Sequence, residues 1–195
     1  MTYLKQNLFQ EHNAKPFIKW AGGKRQLIPE LLKHIPKNFN NYLEPFVGGG
    51  ALFFELYNLG ILKNKKVYLF DINEELINAY KVIRDYPNEL IEKLKEFKAK
   101  HNKEFYYQIR ELDKSKGYNN LDNITKAARF IYLNKTCFNG LYRVNKKGYF
   151  NVPMGKYKNP KILDEENILA VSVAPQSVII QNCDYKKVFA NRAIK

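Results

Sequence analysis

Residues 41–50 read NYLEPFVGGG, and residues 66–71 read KVYLFD. The first segment is a short apolar strand that runs into Gly48, Gly49 and Gly50, and the second is an apolar strand that ends on Asp71. Glycines at such a turn let the backbone approach a ligand where a Cβ would clash. A carboxylate about 20 residues further on can accept hydrogen bonds from ribose hydroxyls. The pattern predicts a β–α–β unit with a nucleotide-cofactor site, and a plain glycine-rich turn is the alternative.

The flanking segments extend this unit. Residues 17–24 are apolar and then rich in glycine, and leucine spacing predicts a helix over residues 26–34. Residues 178–180 have the apolar character of a strand buried in a parallel sheet. Asp184 follows that strand at its carboxyl end, where open α/β sheets place ligand-binding side chains. A short helix is predicted over residues 185–191.

Between these parts the alternation of strands and helices is interrupted. Helical patterns cover residues 74–84, 89–100 and 122–134. Two apolar runs, 141–144 and 149–152, then flank a turn that contains glycine, which predicts a basic β-hairpin. Asp164 is expected to cap a further helix through Val173. We therefore predict an α/β core formed by residues 1–75 and 164–195, with an inserted helical and β-hairpin lobe at 76–163.

Composition places the chain among ordinary globular proteins. At 195 residues and 45% hydrophobic, it can bury one sizeable core. Cys137 and Cys183 have no partner at metal-ligand spacing, which predicts reduced thiols and no zinc site. Residues 1–15 are polar, and no run approaches the ~20 apolar residues of a membrane span. These features predict a cytoplasmic protein that is not exported.

The chain is strongly basic, with a formal net charge of +14 and an isoelectric point near 9.6. A basic surface favours polyanions, because each phosphate contact releases counterions. Nucleic acid is the first partner to consider. The alternative is drift in a sequence that is rich in lysine and asparagine throughout.

Four ordered motifs give the chain a family resemblance. They are KWAGGK at 19–24, EPFVGGG at 44–50, DIN at 71–73, and a segment that runs from NGLYR at 139–143 to FNVPMG at 150–155. On these motifs, residues 16–195 resemble the Dam-type DNA adenine-N6 methyltransferases, the α group of the D12 class. The resemblance implies a Rossmann-like core that uses S-adenosylmethionine to methylate adenine in a short site of double-stranded DNA, typically GATC.

The resemblance also implies which residues bind the cofactor. Asp71 would bind the ribose, Asp184 would accept from the amino group of the cofactor adenine, and Tyr185 would pack on that ring. An Asp after a strand is also a common helix N-cap, and a sole tryptophan such as Trp20 can be a core anchor. The implied cofactor-binding residues are Trp20, Ala21, Gly23, Lys24, Phe46, Gly48, Gly50, Asp71, Asp184 and Tyr185.

For DNA, the resemblance places the hairpin in the major groove. Arg143 would read a guanine, since a guanidinium can make two bonds to its O6 and N7 atoms. Phe138 would wedge into the duplex while the target adenine leaves the stack. The lysines of this region would meet phosphates, or simply form a solvated surface. The implied DNA-binding residues are Phe138, Asn139, Leu141, Arg143, Lys146, Lys147 and Pro153, with Lys156 and Lys158 as further phosphate contacts.

One family motif is not in this sequence. In the family, an Asp-Pro-Pro-Tyr type segment accepts hydrogen bonds from adenine N6 and stacks on the flipped base. No Asp, Asn or Ser followed by two prolines and an aromatic residue occurs between Met1 and Lys195, so no catalytic residue is assigned. We expect a truncated N-terminal part that does not methylate by itself and whose sheet edge a C-terminal part or a second copy covers.

Three functional alternatives stay open at this level. The chain could be a non-catalytic DNA-binding or complementation fragment of such an enzyme. It could instead be a nicotinamide-dependent oxidoreductase that uses the glycine turn and Asp71, although the Arg143 hairpin has no role there. Within the methyltransferase interpretation, a solitary methylase and the protecting half of a restriction-modification pair require the same chemistry.

Overall fold

The computed structural model describes residues 13–190, which form an α/β fold around a parallel three-stranded sheet. Strand β2 is central and pairs in parallel with β1 on one side and with β3 on the other. Leu43 lies opposite Tyr68, and Leu69 lies opposite Ile180. The strands are β1 at Asn41–Glu44, β2 at Lys66–Asp71 and β3 at Ile179–Asn182.

Eight α-helices connect and cover these strands within the described residues. They are α1 at Ile28–Lys33, α2 at Ala51–Asn58, α3 at Glu74–Asp85, α4 at Pro87–Ala99, α5 at Lys103–Glu111, α6 at Asn123–Thr136, α7 at Glu165–Val173 and α8 at Tyr185–Ala190. The α/β class is confirmed, and apart from the two hairpin strands the predicted strands and helices agree with these bounds to within a few residues. The predicted polar segment before residue 13 and the predicted helix end at Asn191 lie outside the described residues.

Three local predictions were wrong or incomplete. The sequence pattern gave no helix at Lys103–Glu111, although Asn102 caps it by accepting a hydrogen bond from the Phe105 N–H at 2.7 Å. The helix predicted from residue 26 begins at Ile28, after a 3₁₀ turn at Lys24–Leu27. Asp164 occupies the N-cap of α7 without a capping hydrogen bond, and one oxygen of its carboxylate pairs with Lys161 at 2.7 Å.

The predicted hairpin is a loop and not a pair of regular strands. An isolated antiparallel bridge joins Val144 to Phe150, and the turn closes through Asn145, whose side chain accepts from the backbone N–H of Lys147 and of Tyr149. The backbone N–H of Phe150 donates to the Asp113 carboxylate at 2.7 Å. Side chains take up backbone donors that a longer ladder would need, so the strands do not extend.

One continuous hydrophobic cluster joins the sheet to the helices that follow β2. It includes Leu69 of β2, Ile83 of α3, Leu94 of α4 and Ile131 of α6, each at most 2% exposed. The division into a core at residues 1–75 and 164–195 and a lobe at 76–163 stays a prediction. No helix of the part that the structure describes is long and apolar enough to cross a membrane.

Candidate functional site

A cleft of about 920 Å³ opens at the carboxyl ends of β1 and β2. Its walls are the segment from Ile18 to Gln26, the turn from Phe46 to Ala51, and the side chains of Asp71 and Lys135. Ligands of open α/β sheets bind at this end of the strands. The predicted cofactor residues that line it are Trp20, Ala21, Gly23, Lys24, Phe46, Gly48, Gly50 and Asp71.

The glycine turn after β1 is packed too closely to carry side chains. Gly48 has a φ of +51°, and a Cβ there would lie 2.6 Å from Cδ1 of Trp20. Gly50 has a φ of +72°, and its Cβ would lie 2.4 Å from the hydroxyl of buried Tyr80. That hydroxyl donates to the Gly48 carbonyl at 3.0 Å. The turn is therefore fixed between Trp20 above and Tyr80 below.

Asp71 ties the end of β2 to the same turn. One carboxylate oxygen accepts from the Gly48 N–H at 3.0 Å, and the other accepts from the Asn73 N–H at 2.9 Å. Each oxygen of a carboxylate has two acceptor sites, so acceptor capacity toward the cleft is left. Asp71 therefore shapes the turn and lines the cleft at once, and its contact with a ribose stays a prediction.

Lys24 lies beside a buried carboxylate that the sequence reasoning did not single out. Its ammonium is 3.3 Å from Oε1 of Glu44 and 3.3 Å from the Phe46 carbonyl. The Tyr42 hydroxyl donates to Oε2 of Glu44 at 2.7 Å. Burial raises the pKa of the Glu44 carboxyl, while Tyr42 and Lys24 act against this shift. The signal in the sequence was a Glu at the end of a predicted strand, next to the glycine turn.

Two aromatic rings stand at the rim of the cleft. Phe46 is 58% exposed, and its ring centroid lies 5.1 Å from that of Tyr185. Asp184 accepts from the Lys186 N–H at 2.8 Å, which is the helix-start role that sequence reasoning kept open. Asp184 and Tyr185 do not line the cleft itself. Tyr185 therefore lies next to the cleft through its contact with Phe46. Asp184 accepts a hydrogen bond at the start of α8.

The exposed basic segment, residues 138–155 after α6, lies against the cleft wall. The ring of Tyr142 stacks on Trp20 with centroids 5.6 Å apart. The Phe138 N–H donates to the Pro153 carbonyl at 2.9 Å, which joins the two halves of the segment. The exposed residues of this surface include Phe138, Asn139, Leu141, Arg143, Lys146, Lys147 and Pro153. Every residue predicted to touch DNA in this segment therefore faces solvent.

Arg143 is held by a partner across the loop. Its Nε donates to Oδ1 of Asn151 at 2.7 Å, and its Nη2 donates to the Asn151 carbonyl at 3.3 Å. The Asn151 N–H returns a bond to the Arg143 carbonyl at 3.1 Å. Since Nε and Nη2 share one edge of the guanidinium, Asn151 fixes the orientation of the group. Asn151 belongs to the FNVPMG motif at 150–155 but was not predicted as a site residue.

Asparagine side chains bind the backbone of residues 14–19, the segment that leads into the cleft. Asn134 of α6 accepts from the Lys19 N–H and donates to the Lys19 carbonyl, both at 2.8 Å, and it also donates to the Gly140 carbonyl at 2.9 Å. Asn58 and Asn167 make the same two-way bonds to Ala14 and Lys15. Asn134 thus joins the cleft wall to the segment predicted to read DNA, a role that spacing in the sequence does not reveal.

Two lysines near the cleft were also missed as site residues. Lys19 extends over Tyr157, with its ammonium 4.7 Å from the ring centroid and 3.3 Å from the hydroxyl. Lys135 lines the cleft, and burial lowers the pKa of its ammonium. Both add positive charge where the cleft meets the exposed segment. Among residues 13–190, no group of His, Cys, Asp and Glu side chains could hold a metal ion.

Comparison with known proteins gives a consistent set of matches. The sequence model of the D12 class N6 adenine-specific DNA methyltransferases matches residues 20–195. The type II methyltransferase M.MjaIII of Methanocaldococcus jannaschii is 47% identical over 185 residues, which cover 89% of this chain and 63% of that protein. The type II methyltransferase M1.LlaDCHI of Lactococcus lactis subsp. cremoris is 43% identical over 185 residues, which cover 93% of this chain and 63% of that protein.

A third relative is the DNA adenine methylase of Vibrio cholerae, which is 38% identical over 159 residues. That match covers 78% of this chain and 52% of the relative. The chain therefore spans between about half and two thirds of the length of these relatives.

Proposed function

Because the chain belongs to the D12 class of N6 adenine-specific DNA methyltransferases, we propose that it forms the part of such an enzyme that binds S-adenosylmethionine and reads the DNA site. One observation carries the proposal. The cleft and the exposed basic segment share a wall, where Trp20 stacks on Tyr142 with centroids 5.6 Å apart. A nicotinamide-dependent oxidoreductase has no support from the family matches.

The residues of the cleft fit the cofactor by shape and chemistry. S-adenosylmethionine supplies a methyl group on a sulfonium centre, together with an adenosine and an amino acid end. The glycine turn lines the cleft with backbone and not with side chains, because Trp20 and Tyr80 leave no room for a Cβ at Gly48 or Gly50. Asp71 offers acceptors for ribose hydroxyls, and the exposed rings of Phe46 and Tyr185 offer apolar faces for adenine.

The exposed segment fits duplex DNA. Arg143 presents a guanidinium whose orientation Asn151 fixes, and two bonds to guanine O6 and N7 discriminate by about 1–3 kcal/mol. Lys146 and Lys147 are exposed at the tip of the loop and meet phosphates. Phe138, 49% exposed, is the side chain that wedges into the duplex. GATC or a close relative is the proposed site, and the cytoplasm is the proposed place of action.

Methyl transfer requires groups that this sequence does not supply. N6 of adenine has to lose a proton as it takes up the methyl group, and in the family the Asp-Pro-Pro-Tyr type segment holds that nitrogen in place. No such segment occurs between Met1 and Lys195. We therefore propose that the 195-residue chain binds both ligands but does not methylate DNA by itself. A DNA-binding or complementation fragment is the second candidate, and the absence of the same segment favours it.

Binding and turnover are tested separately. Calorimetric titration with S-adenosylhomocysteine, and DNA binding to a short duplex with one GATC site against a scrambled duplex, should show saturable cofactor binding and a preference for GATC. Transfer of a labelled methyl group should be absent, with full-length M.MjaIII as the positive control. Failure to bind either ligand would refute the binding proposal, and methylation by this chain alone would refute its predicted inactivity. Recovery of activity after addition of the part of M.MjaIII that this chain does not match would establish a complementation fragment.

A further inference from the structure

Arg129 of α6 is the largest polar side chain in the interior of the described residues, and its residue is 1% exposed. It does not line the cleft. A buried guanidinium is tolerated only when its charge is paired and its N–H groups are bonded. The partners of Arg129 therefore indicate what this buried charge holds in place.

Two carboxylates, two carbonyls and the Tyr118 hydroxyl surround the guanidinium. Nη1 lies 2.9 Å from Oε1 of Glu75, and Nη2 lies 2.8 Å from Oδ2 of Asp113. Nε donates to the Ile109 carbonyl at 3.0 Å, and Nη2 donates to the Arg110 carbonyl at 2.9 Å. The group thus connects α3, α5 and the turn after α5 to α6.

Each of the two carboxylates also holds one arm of the loop at residues 143–149. The Tyr142 hydroxyl donates to Oε2 of Glu75 at 3.2 Å, just before the loop. The Phe150 N–H donates to Oδ2 of Asp113 at 2.7 Å, just after it. The rings of Tyr142 and Phe150 lie 5.8 Å apart. A single residue therefore links the guanidinium to each end of the loop, Glu75 at one end and Asp113 at the other.

We propose that Arg129 is a positioning residue that fixes the DNA-reading loop at residues 143–149 by holding Glu75 and Asp113, an inference that rests on the proposed DNA-binding function. The loop has one antiparallel bridge and no regular strands, so its placement depends on these outside bonds. Without Arg129, two largely buried carboxylates lose their counter-charge and turn toward water. Tyr142 and Phe150 then lose their anchors, and Arg143 loses its fixed position.

The test compares Arg129→Lys with Arg84→Lys. Lysine keeps the charge but cannot make the forked contact with two carboxylates. Arg84 also pairs with an acid and a carbonyl, Asp85 at 2.7 Å and Val178 at 3.3 Å, but lies away from the loop. Arg129→Lys should reduce discrimination between GATC and scrambled duplexes by about fivefold or more. It should raise hydrogen exchange at residues 143–150 and change the affinity for S-adenosylhomocysteine less than twofold, whereas Arg84→Lys should match the wild type in all three.

A milder variant keeps the test open if Arg129→Lys does not fold. Tyr142→Phe removes the bond to Glu75 and leaves the ring and the buried ion pairs, so it should raise exchange at residues 143–145 and weaken discrimination to a smaller degree. Unchanged exchange and unchanged discrimination in a folded variant would overturn the proposal, as would equal losses of cofactor and DNA affinity with exchange raised throughout the chain. Hydrogen exchange of the DNA-free protein tests whether Arg129 anchors the loop, even if the wild type shows no preference for GATC.

Discussion

The indole of Trp20 stacks on the phenol ring of Tyr142, with centroids 5.6 Å apart and planes inclined by 28°. Trp20 belongs to the wall of the cleft, and Tyr142 immediately precedes Arg143 in the exposed basic segment. Phe130 of α6 packs against both rings, at 6.1 Å from Trp20 and 5.6 Å from Tyr142. The proposed cofactor and DNA surfaces thus meet at one aromatic cluster.

Removal of the Tyr142 ring should weaken cofactor binding although this residue does not line the cleft. An aromatic pair contributes about 0.5–1.5 kcal/mol beyond burial, so Tyr142→Leu should raise the Kd for S-adenosylhomocysteine by about 2–10-fold. Titration followed by tryptophan fluorescence reports this directly, because Trp20 is the only tryptophan in the sequence. Tyr142→Phe is the matched control and should bind as the wild type does. Equal affinities for Tyr142→Leu and Tyr142→Phe would show that the ring contact does not shape the cleft.

A methyl group at Gly50 should strongly destabilise the fold. Its Cβ would lie 2.4 Å from the Tyr80 hydroxyl and 2.9 Å from Cε2 of Phe54, at a φ of +72°. Overpacking and left-handed strain together should lower the free energy of unfolding of Gly50→Ala by about 2–5 kcal/mol. Urea unfolding measures this change.

Gly60→Ala provides the control for that substitution. Gly60 has nearly the same φ, +70°, with nothing within 4 Å of the added Cβ. Only the backbone strain of about 1–2 kcal/mol applies there. If both variants lost the same stability, close packing under the glycine turn would not be the cause.

Asn134→Asp should loosen the segment that leads into the cleft. The variant keeps the acceptor for the Lys19 N–H but loses both donors, and it directs a carboxylate at the carbonyls of Lys19 and Gly140. A buried polar group left without its hydrogen-bond partner lowers the free energy of unfolding by about 1–3 kcal/mol or more. Urea unfolding should therefore show a loss of that size, and hydrogen exchange should rise at residues 17–21.

Asn167→Asp is the matched comparison for this variant, because Asn167 makes the same two-way bonds to Lys15 in an exposed setting. Water can replace the lost hydrogen bonds there, so only a small loss in the free energy of unfolding is expected. Losses of similar size at both positions would contradict a special role for the buried amide.

Stability should fall on mild acidification through His101. Burial lowers the pKa of this imidazole from its ordinary 6.5, and the ring contacts the Tyr132 hydroxyl at 2.8 Å. The folded state then binds its proton less readily than the unfolded state does. The contribution of His101 to the free energy of unfolding is therefore complete above pH 6.5. It declines as the pH falls toward the lowered pKa and is constant below that pKa.

Urea unfolding between pH 7.5 and pH 5, about two units around the ordinary histidine pKa, tests this dependence. The difference between the wild type and His101→Gln should change with pH in that window, because the variant has no titrating group at this position. A His101 titration midpoint at or above the ordinary 6.5, measured by NMR, would rule the effect out.

Local patterns predicted most of the fold. The apolar runs at β1, β2 and β3 and the leucine spacing of α1 are properties of neighbouring residues, and they led to elements within a few residues of the observed ones. Helix α5 was missed although its sequence carries helix signals, with Asn102 at its N-cap and Tyr106 and Ile109 on its buried face. The loop at residues 143–149 was predicted as a hairpin, because nothing in its own sequence reveals that Asp113 takes up the N–H of Phe150.

The sequence by itself determined the order β1, glycine turn, α2, β2 and Asp71, and hence the kind of site to expect, because strand pattern and glycine backbone freedom act over a few residues. Tertiary structure alone decided how the site is held together. Lys19 and Asn134 are 115 positions apart, and Arg129 and Glu75 are 54 apart. Such pairs form only after the helices pack, since a buried amide or guanidinium acquires its partners from whatever the fold brings beside it.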